Sequence, residues 1–172
     1  MTDECEPVRV SRRIDAPAER LFAFLADPTN HPAIDGSGML REAEQRGPLA
    51  GIGDEFVVKM HNDEMGDYEI TNHVVEYELN RRLSWEPVLT AASRDEDQAD
   101  LGDRAGHRWG FELTPSDDGS TIVIETFDCS QAPEWLRTVL DNGKRWTKDM
   151  TVTLEELDAT MTLQADGSAG ND

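Results

Sequence analysis

Residues 132–163 read APEWLRTVLDNGKRWTKDMTVTLEELDATMTL, and this stretch decides the fold. Ser130 precedes it as a candidate N-cap, and Pro133 and Glu134 stand in the first turn, which is typical of a helix start. Side chains then recur every three or four residues on one stripe, as in an amphipathic helix: Leu136, Val139, Leu140, Trp146, Met150, Thr153, Leu154, Leu157 and Met161. The pattern predicts one long helix over 132–163. Gly143 lies in its middle, where glycine permits a kink or a close approach.

Upstream of this helix, short segments alternate between apolar and polar residues, which indicates strands with one buried face. These segments are 8–14, 39–46, 55–61, 68–79, 82–86, 106–114 and 120–128. A helix is predicted between Pro17 and Asp27, and a second helical turn at 29–34. Within 68–79 the apolar parity changes, which predicts a β-bulge near Asn72 and His73 that bends the sheet.

Strands in succession and helices set apart from them indicate the α+β class with an antiparallel sheet. One helix cannot fill a strongly curved sheet, so we expect a ligand pocket between the two. The domain is predicted at 7–163, after a flexible leader at 1–6 and before a disordered tail at 164–172. The polar stretch 87–105 is either a lid or disordered.

Composition excludes some classes of function. The formal net charge of -20, from 36 acidic and 16 basic residues, argues against nucleic-acid binding through phosphate contacts. No apolar run approaches the roughly 18 residues of a transmembrane helix, and the start, MTDECEP, does not resemble a secretory signal. Cys5 and Cys129 show no metal or redox spacing, so we expect reduced thiols and a cytoplasmic protein. The oligomeric state stays open.

Four phrases carry a family resemblance: IDAPAERLFAFLADP at 14–28, VVEYELNRRLSW at 74–85, WGFELTP at 109–115 with DGST at 118–121, and MTVTLEEL at 150–157. They resemble the START-like helix-grip superfamily (SRPBCC), in its polyketide cyclase/dehydrase-like branch. The resemblance implies a curved antiparallel sheet wrapped around a long C-terminal helix, with two short helices near the N-terminus. Members bind lipids, polyketides, hormones or other hydrophobic molecules; some cyclise polyketides, and others are co-chaperones or toxin partners. None of the four phrases is a catalytic motif.

The facing of the strand and helix residues predicts the pocket wall. The candidate ligand-binding residues are Tyr68, Trp85, Trp109, Phe111, Trp146 and Met150. An aromatic surface of this kind would bind a flat or acyl ligand by burial and stacking. The alternative for each of these residues is a plain role in the core.

The four histidines, His31, His61, His73 and His107, lack the HExxH spacing or any other metal spacing, so we predict neither a metal nor a cofactor. His73 and His107 are candidate general acids or bases if they point inward. Glu69 and Glu125 are candidate buried polar anchors, although strand parity leaves their facing open.

Three functions remain compatible with these observations. The leading hypothesis is a protein that binds a hydrophobic small molecule, lipid-like or polyketide-like, between the sheet and the C-terminal helix. The second is a cofactor-free cyclase or dehydrase that uses a histidine or carboxylate in the pocket. The third is a protein-interaction module of the toxin-partner or co-chaperone kind.

Overall fold

The computed structural model describes residues 5–44, 47–90 and 104–169. Within them, seven strands form one antiparallel sheet: β1 Val8–Ile14, β2 Leu40–Glu44, β3 Glu55–Asn62, β4 Gly66–Glu78, β5 Arg82–Leu89, β6 Arg108–Pro115 and β7 Thr121–Asp128. The spatial order is β1-β7-β6-β5-β4-β3-β2, so the first strand lies beside the last and the others follow their chain neighbours. The predicted α+β fold with a curved antiparallel sheet is confirmed.

The helices are α1 Ala18–Leu25, α2 His31–Ile34, α3 Glu134–Val139 and α4 Thr147–Ala169, with 3-10 segments at Pro28–Asn30 and Asp141–Trp146. The two short N-terminal helices are therefore present, as predicted. None of the helices in the described ranges combines the length and the apolar character needed to cross a bilayer.

The C-terminal stretch is not one continuous helix, so the prediction over 132–163 is wrong at its centre. Asp141, Asn142 and Gly143 all have positive φ values, and the helical backbone breaks between α3 and α4. A Cβ on Gly143 would lie 2.6 Å from Cδ1 of Phe127, so the chain approaches the sheet more closely here than a side chain allows. α4 continues past Leu163 to Ala169, so residues 164–169 of the predicted tail are helical. Residues 170–172 of that tail, and 91–103 of the stretch predicted as a lid or disordered, lie outside the described residues.

The β-bulge of β4 lies at Val75, since the pairing with β5 shifts register between Val74 and Glu76. The sequence predicted the bulge near Asn72 and His73, slightly earlier along the strand, so the predicted position is wrong. The reason is that Asn72 is polar and yet buried, in phase with Ile70 and Val74. An inward amide therefore imitates a change of parity that occurs only after Val74.

The core lies between the concave face of the sheet and α4. Four side chains of α4 are almost completely buried: Met150, Leu154, Leu157 and Met161. Leu21, Phe22 and Leu25 of α1 are buried in the same cluster as the last three of these. This packing closes the sheet along most of α4, and the first turns of α4 remain above an open space.

Candidate functional site

A cavity of about 260 Å³ lies between the concave face of the sheet, the start of α4 and residues 31–40. Most of its wall is apolar or aromatic: Ile34, Met39, Leu40, Phe56, Val58, Met60, Tyr68, Ile70, Trp85, Pro87, Trp109, Phe111, Trp146 and Met150. An apolar cavity of about 150 Å³ accepts benzene. The space here is therefore suited to a ligand of roughly two fused rings.

Trp85 organises one half of the aromatic wall. Its ring stacks on His31 with centroids 5.4 Å apart, and it meets Phe56 edge-on at 5.6 Å. Nε2 of His31 lies 2.7 Å from the carbonyl oxygen of Leu25. Burial lowers the pKa of His31, so the neutral ring donates its Nε2 proton to that carbonyl. The hydrogen bond fixes the imidazole, and the imidazole in turn holds the indole of Trp85.

Trp109 organises the other half. Its ring centroid lies 4.5 Å from that of Phe127 and 5.9 Å from that of Trp146 at the end of the 3-10 segment. Phe127 fills the place beside Gly143 where a side chain would collide. The backbone break before α4 thus allows Phe127 to support Trp109, and the wall is preformed by packing.

Glu125 brings a carboxyl group into this apolar wall. The residue is 7% exposed, and its Oε2 has no hydrogen-bond partner among the described residues. Burial, with the nearby carboxylates of Asp35 and Asp149, raises the pKa of Glu125 well above its usual value. Burial therefore favours the neutral carboxylic acid, a form that can donate one hydrogen bond.

Two further buried polar atoms on the wall have no partner within the described part of the chain, namely Nδ1 of His107 and Nε1 of Trp146. Burial lowers the pKa of His107, against a smaller opposing effect of Glu86. Leaving such an atom unpaired costs about 1–3 kcal/mol. Among the described residues, the other buried side-chain atom of this kind is Nε of Arg137, which lies outside the wall. The unpaired hydrogen-bonding capacity is therefore concentrated at the cavity.

The charged residues of the wall are all acidic. Asp35, Glu125 and Asp149 line the cavity, and no Lys or Arg is found among its described lining residues. Asp35 accepts hydrogen bonds from the backbone N–H groups of Ser37 and Leu40. In the described ranges, no three His, Cys, Asp or Glu side chains are grouped as ligands for a metal ion.

A family model described as "Polyketide cyclase / dehydrase and lipid transport" matches residues 7–162. The chain belongs to this family. The resemblance to the START-like helix-grip superfamily is thereby confirmed.

Relatives of the chain include the uncharacterized protein Rv0088 of Mycobacterium tuberculosis. The two are 34% identical over 124 residues, which are 71% of this chain and 48% of that protein. The chain thus spans about half the length of the curated relatives it matches. Two crystal structures share its fold. NE0264 of Nitrosomonas europaea has a TM-score of 0.68 at 15% identity, covering 95% of this chain and 99% of that one. Ms6760 of Mycobacterium smegmatis has a TM-score of 0.64 at 18% identity, covering 92% of each chain.

In this member of the polyketide cyclase/dehydrase and lipid transport family, all six residues predicted for the pocket wall lie on the cavity: Tyr68, Trp85, Trp109, Phe111, Trp146 and Met150. Their contact with a ligand stays a prediction. His107, one of the two candidate acid–base groups, lies on the wall with them.

His73, the other candidate, does not reach the cavity. Its Nδ1 lies 3.1 Å from Oε1 of Glu55, its cross-strand neighbour, and it is out of phase with the inward Asn72 and Val74. The prediction depended on a bulge at Asn72 and His73; because the bulge is at Val75, His73 keeps its outward phase. Glu69 has the same outward phase and does not line the cavity.

Several polar wall residues escaped the sequence prediction: His31, Asp35, Ser37, Asn72, Asp149 and Thr153 as a cavity residue. A signal existed for Asp149, which is three residues after Trp146 and four before Thr153 and so shares the stripe of α4. A signal also existed for Glu125, which alternates with the buried Val123 and Phe127. Nothing in the local pattern marks His31 or Asp35, because the loop after α1 has no periodicity.

Proposed function

We propose that the chain binds a small, largely apolar molecule of about two rings in the cavity between the sheet and α4. The observation that carries this proposal is a preformed cavity of about 260 Å³ whose wall is mainly apolar and includes six aromatic side chains. Membership of a family that includes cyclases, dehydrases and lipid-transport proteins supports a ligand for this space.

The expected affinity is moderate. Small ligands gain up to about 1.5 kcal/mol per heavy atom and drug-sized ones about 0.3. At roughly 0.5 kcal/mol per atom, a ligand of about 12 heavy atoms binds with about −6 kcal/mol, which is a Kd of tens of micromolar. A larger acyl chain would have to extend beyond the closed part of the cavity.

Tryptophan emission tests this proposal. Three of the four tryptophans, Trp85, Trp109 and Trp146, line the cavity, whereas Trp135 is 55% exposed. In a Trp135→Phe variant every remaining indole therefore reports on the cavity. Titration with 2-acetylnaphthalene, which accepts energy from excited indoles, should quench the emission to saturation in the micromolar range.

Two substitutions in β3 distinguish binding in the cavity from binding elsewhere on the protein surface. Val58 is 2% exposed and lines the cavity, while Val57 precedes it on the same strand, is half-buried and does not. Val58→Phe should fill the space and weaken binding at least about tenfold, a loss of about 1.4 kcal/mol, and Val57→Phe should leave binding unchanged. Equal titrations for the two variants, both shown to be folded by their thermal transitions, would exclude the cavity as the binding site.

A second candidate function is proton-transfer catalysis of the cyclase or dehydrase type, and Glu125 and His107 favour it. A neutral carboxylic acid can donate a proton and a neutral imidazole can accept one. Exchange of the methyl protons of bound 2-acetylnaphthalene with D2O, followed by NMR, measures such transfer without a known substrate. Exchange above the buffer rate that is lost in Glu125→Gln or His107→Gln supports it; exchange at the buffer rate counts against it.

A further inference from the structure

We propose that the cavity selects an uncharged ligand whose polar end accepts hydrogen bonds, such as an aryl ketone, and discriminates against carboxylates and phosphates. This inference rests on the proposed function, because it assigns the ligand class of the same cavity. Three features of the wall carry it: two hydrogen-bond donors without partners, a set of carboxyl groups, and the lack of a basic side chain among the described lining residues.

The two donors are Nε1 of Trp146 and the acid group of Glu125. An indole N–H can only donate, so Trp146 requires an acceptor on the ligand. Among the described residues, burial and the acidic neighbours Asp35 and Asp149 raise the pKa of Glu125. This favours the protonated carboxyl, which offers its proton to an acceptor as well.

The same wall disfavours an anionic ligand. It would enter an apolar space beside three carboxyl groups, with no lining Lys or Arg to neutralise it among the described residues. Removing an unpaired charge from water is strongly unfavourable. Lys148 and Arg145 act electrostatically on Asp149, and the guanidinium of Arg145 lies 5.5 Å from the ring centroid of Trp146, but neither side chain lines the cavity.

A cationic ligand fits the carboxyl groups but not the donors. An ammonium group has only donors to offer, so it would leave the N–H of Trp146 unpaired. It could pair with Asp35 or Asp149, but it would leave the acid proton of Glu125 without an acceptor as well. A neutral acceptor satisfies both groups at once, and we therefore place the ligand oxygen toward Glu125 and Trp146.

Four probes with the same ring system test this selection: naphthalene, 2-acetylnaphthalene, 2-naphthoate and 2-(aminomethyl)naphthalene, titrated into the full chain at pH 7. The ketone should bind about tenfold more tightly than naphthalene, the gain expected of one hydrogen bond. The naphthoate should bind at least about tenfold more weakly than the ketone.

Variants assign the preference to named groups. Glu125→Gln keeps a donor and should retain the preference for the ketone within about threefold, whereas Glu125→Leu should lose most of it. If Glu125→Leu does not fold, Trp146→Phe removes the indole donor and should reduce the same preference. A preference that is unchanged in every folded variant overturns the inference.

Different results would overturn the ligand selectivity and the proposed function. Tightest binding of the naphthoate or the aminomethyl probe, or equal binding of naphthalene and the ketone, overturns the selection and leaves the cavity as a binding site. Absence of binding by all four probes overturns the proposed function, and the ligand class with it.

A separate observation concerns the two cysteines, which the sequence predicts to be reduced. Their Sγ atoms lie 3.5 Å apart although 124 positions separate them in the chain. Cys129 is buried just after β7, and the half-buried Cys5 precedes β1, the strand that pairs with β7. Both are thiols in this structure. We infer that Cys5 and Cys129 form an intramolecular disulfide when the protein meets a peroxide.

The disulfide between Cys5 and Cys129 would form in two steps. The thiolate of Cys5 attacks hydrogen peroxide, which breaks the O–O bond, gives a sulfenic acid on Cys5 and releases hydroxide. The sulfur of Cys129 then attacks the sulfenic sulfur; the S–S bond forms, and the oxygen leaves as water with the thiol proton of Cys129. Burial and the contact with Cys5 raise the pKa of Cys129 to about 12, so this second step is expected to be the slow one.

Intact-mass analysis tests the pair. After peroxide treatment and alkylation in denaturant, the chain should be lighter by two hydrogens and carry no alkyl group, and its Tm should rise by roughly 10 °C because the bond closes a very long loop. The Cys5→Ser and Cys129→Ser variants should each keep one oxidisable or alkylatable sulfur and show no Tm rise. Two alkylated cysteines, separate sulfinic acids or disulfide-linked dimers would overturn the inference.

Discussion

Gly143→Ala is the substitution that most sharply tests the break between α3 and α4. Gly143 has a φ of 89°, and an alanine there takes a left-handed conformation at a cost of about 1–2 kcal/mol. The new Cβ would also lie 2.6 Å from Cδ1 of Phe127 and 3.1 Å from Cγ2 of Val8, and such overpacking costs about 1–3 kcal/mol. Lower entropy of the unfolded chain returns about 0.4–1 kcal/mol.

The net loss is about 1–4 kcal/mol, which for a domain of this size lowers the Tm by roughly 2–15 °C. Thermal unfolding followed by circular dichroism measures it. Gly167→Ala is the matched control, because Gly167 is exposed in α4 and nothing lies within 4 Å of its added Cβ. That change should raise stability by up to about 1 kcal/mol. If Gly143→Ala also stabilises, the stretch is a continuous helix and the support of Trp109 through Phe127 is wrong.

Three further predictions concern the polar wall and the approach of the loop to α4. Burial raises the pKa of Glu125 above its usual 4.5, so the native state binds more protons than the unfolded state as pH rises above that value, and stability falls. In urea unfolding, the stability of Glu125→Gln relative to the parent should therefore rise with pH above that value, by up to about 1.4 kcal/mol per pH unit, and level off above the native-state pKa of Glu125; a difference independent of pH would contradict this. Gly36→Ala would place a Cβ 2.1 Å from the carbonyl oxygen of Asp149 and should lower the free energy of unfolding by about 3 kcal/mol or more. Gly38→Ala is the control: it has open space around it and should lower that free energy by about 1 kcal/mol, because its φ is positive. Equal Tm values for the two variants would refute the close contact. His73→Gln should leave the affinity for 2-acetylnaphthalene within about twofold, and a tenfold loss would show that His73 reaches the ligand.

Much of the fold and the apolar wall could be predicted because alternation is a local property. The facing of Trp109 and Phe111 follows from β6 alone, and that of Trp85 from β5 alone. Each of these strands keeps its phase through the cavity region. The apolar stripe predicted over 136–161 likewise places Trp146, just before α4, and Met150, within α4, on the side that meets the sheet.

The misplaced features depend on contacts between distant parts of the chain. The break at Gly143 exists because Phe127, on a different element, occupies the space beside it. The bulge position is obscured by Asn72, an inward polar residue that breaks the apolar pattern without breaking the phase. Both errors arise where tertiary packing overrides the local pattern.

The polar end of the cavity is the clearest case. Asp35, Glu125 and Asp149 come from a loop, a strand and a helix, and only the folded chain brings their charges close enough to act on one another. Alternation is consistent with the inward facing of Glu125, but its raised pKa depends first on burial in the folded chain and then on the other two carboxyl groups. The chemistry of the cavity is therefore a tertiary property, while its apolar lining is a local one.

A crystal structure of the chain with 2-acetylnaphthalene would show directly whether the cavity between the sheet and α4 is the binding site. We expect the naphthalene ring to lie between Trp109, Phe111 and α4, with the ketone oxygen within hydrogen-bonding distance of Glu125 or Nε1 of Trp146. A ligand bound only on the outer surface, or an interior filled by its own side chains with no space between sheet and helix, would contradict it.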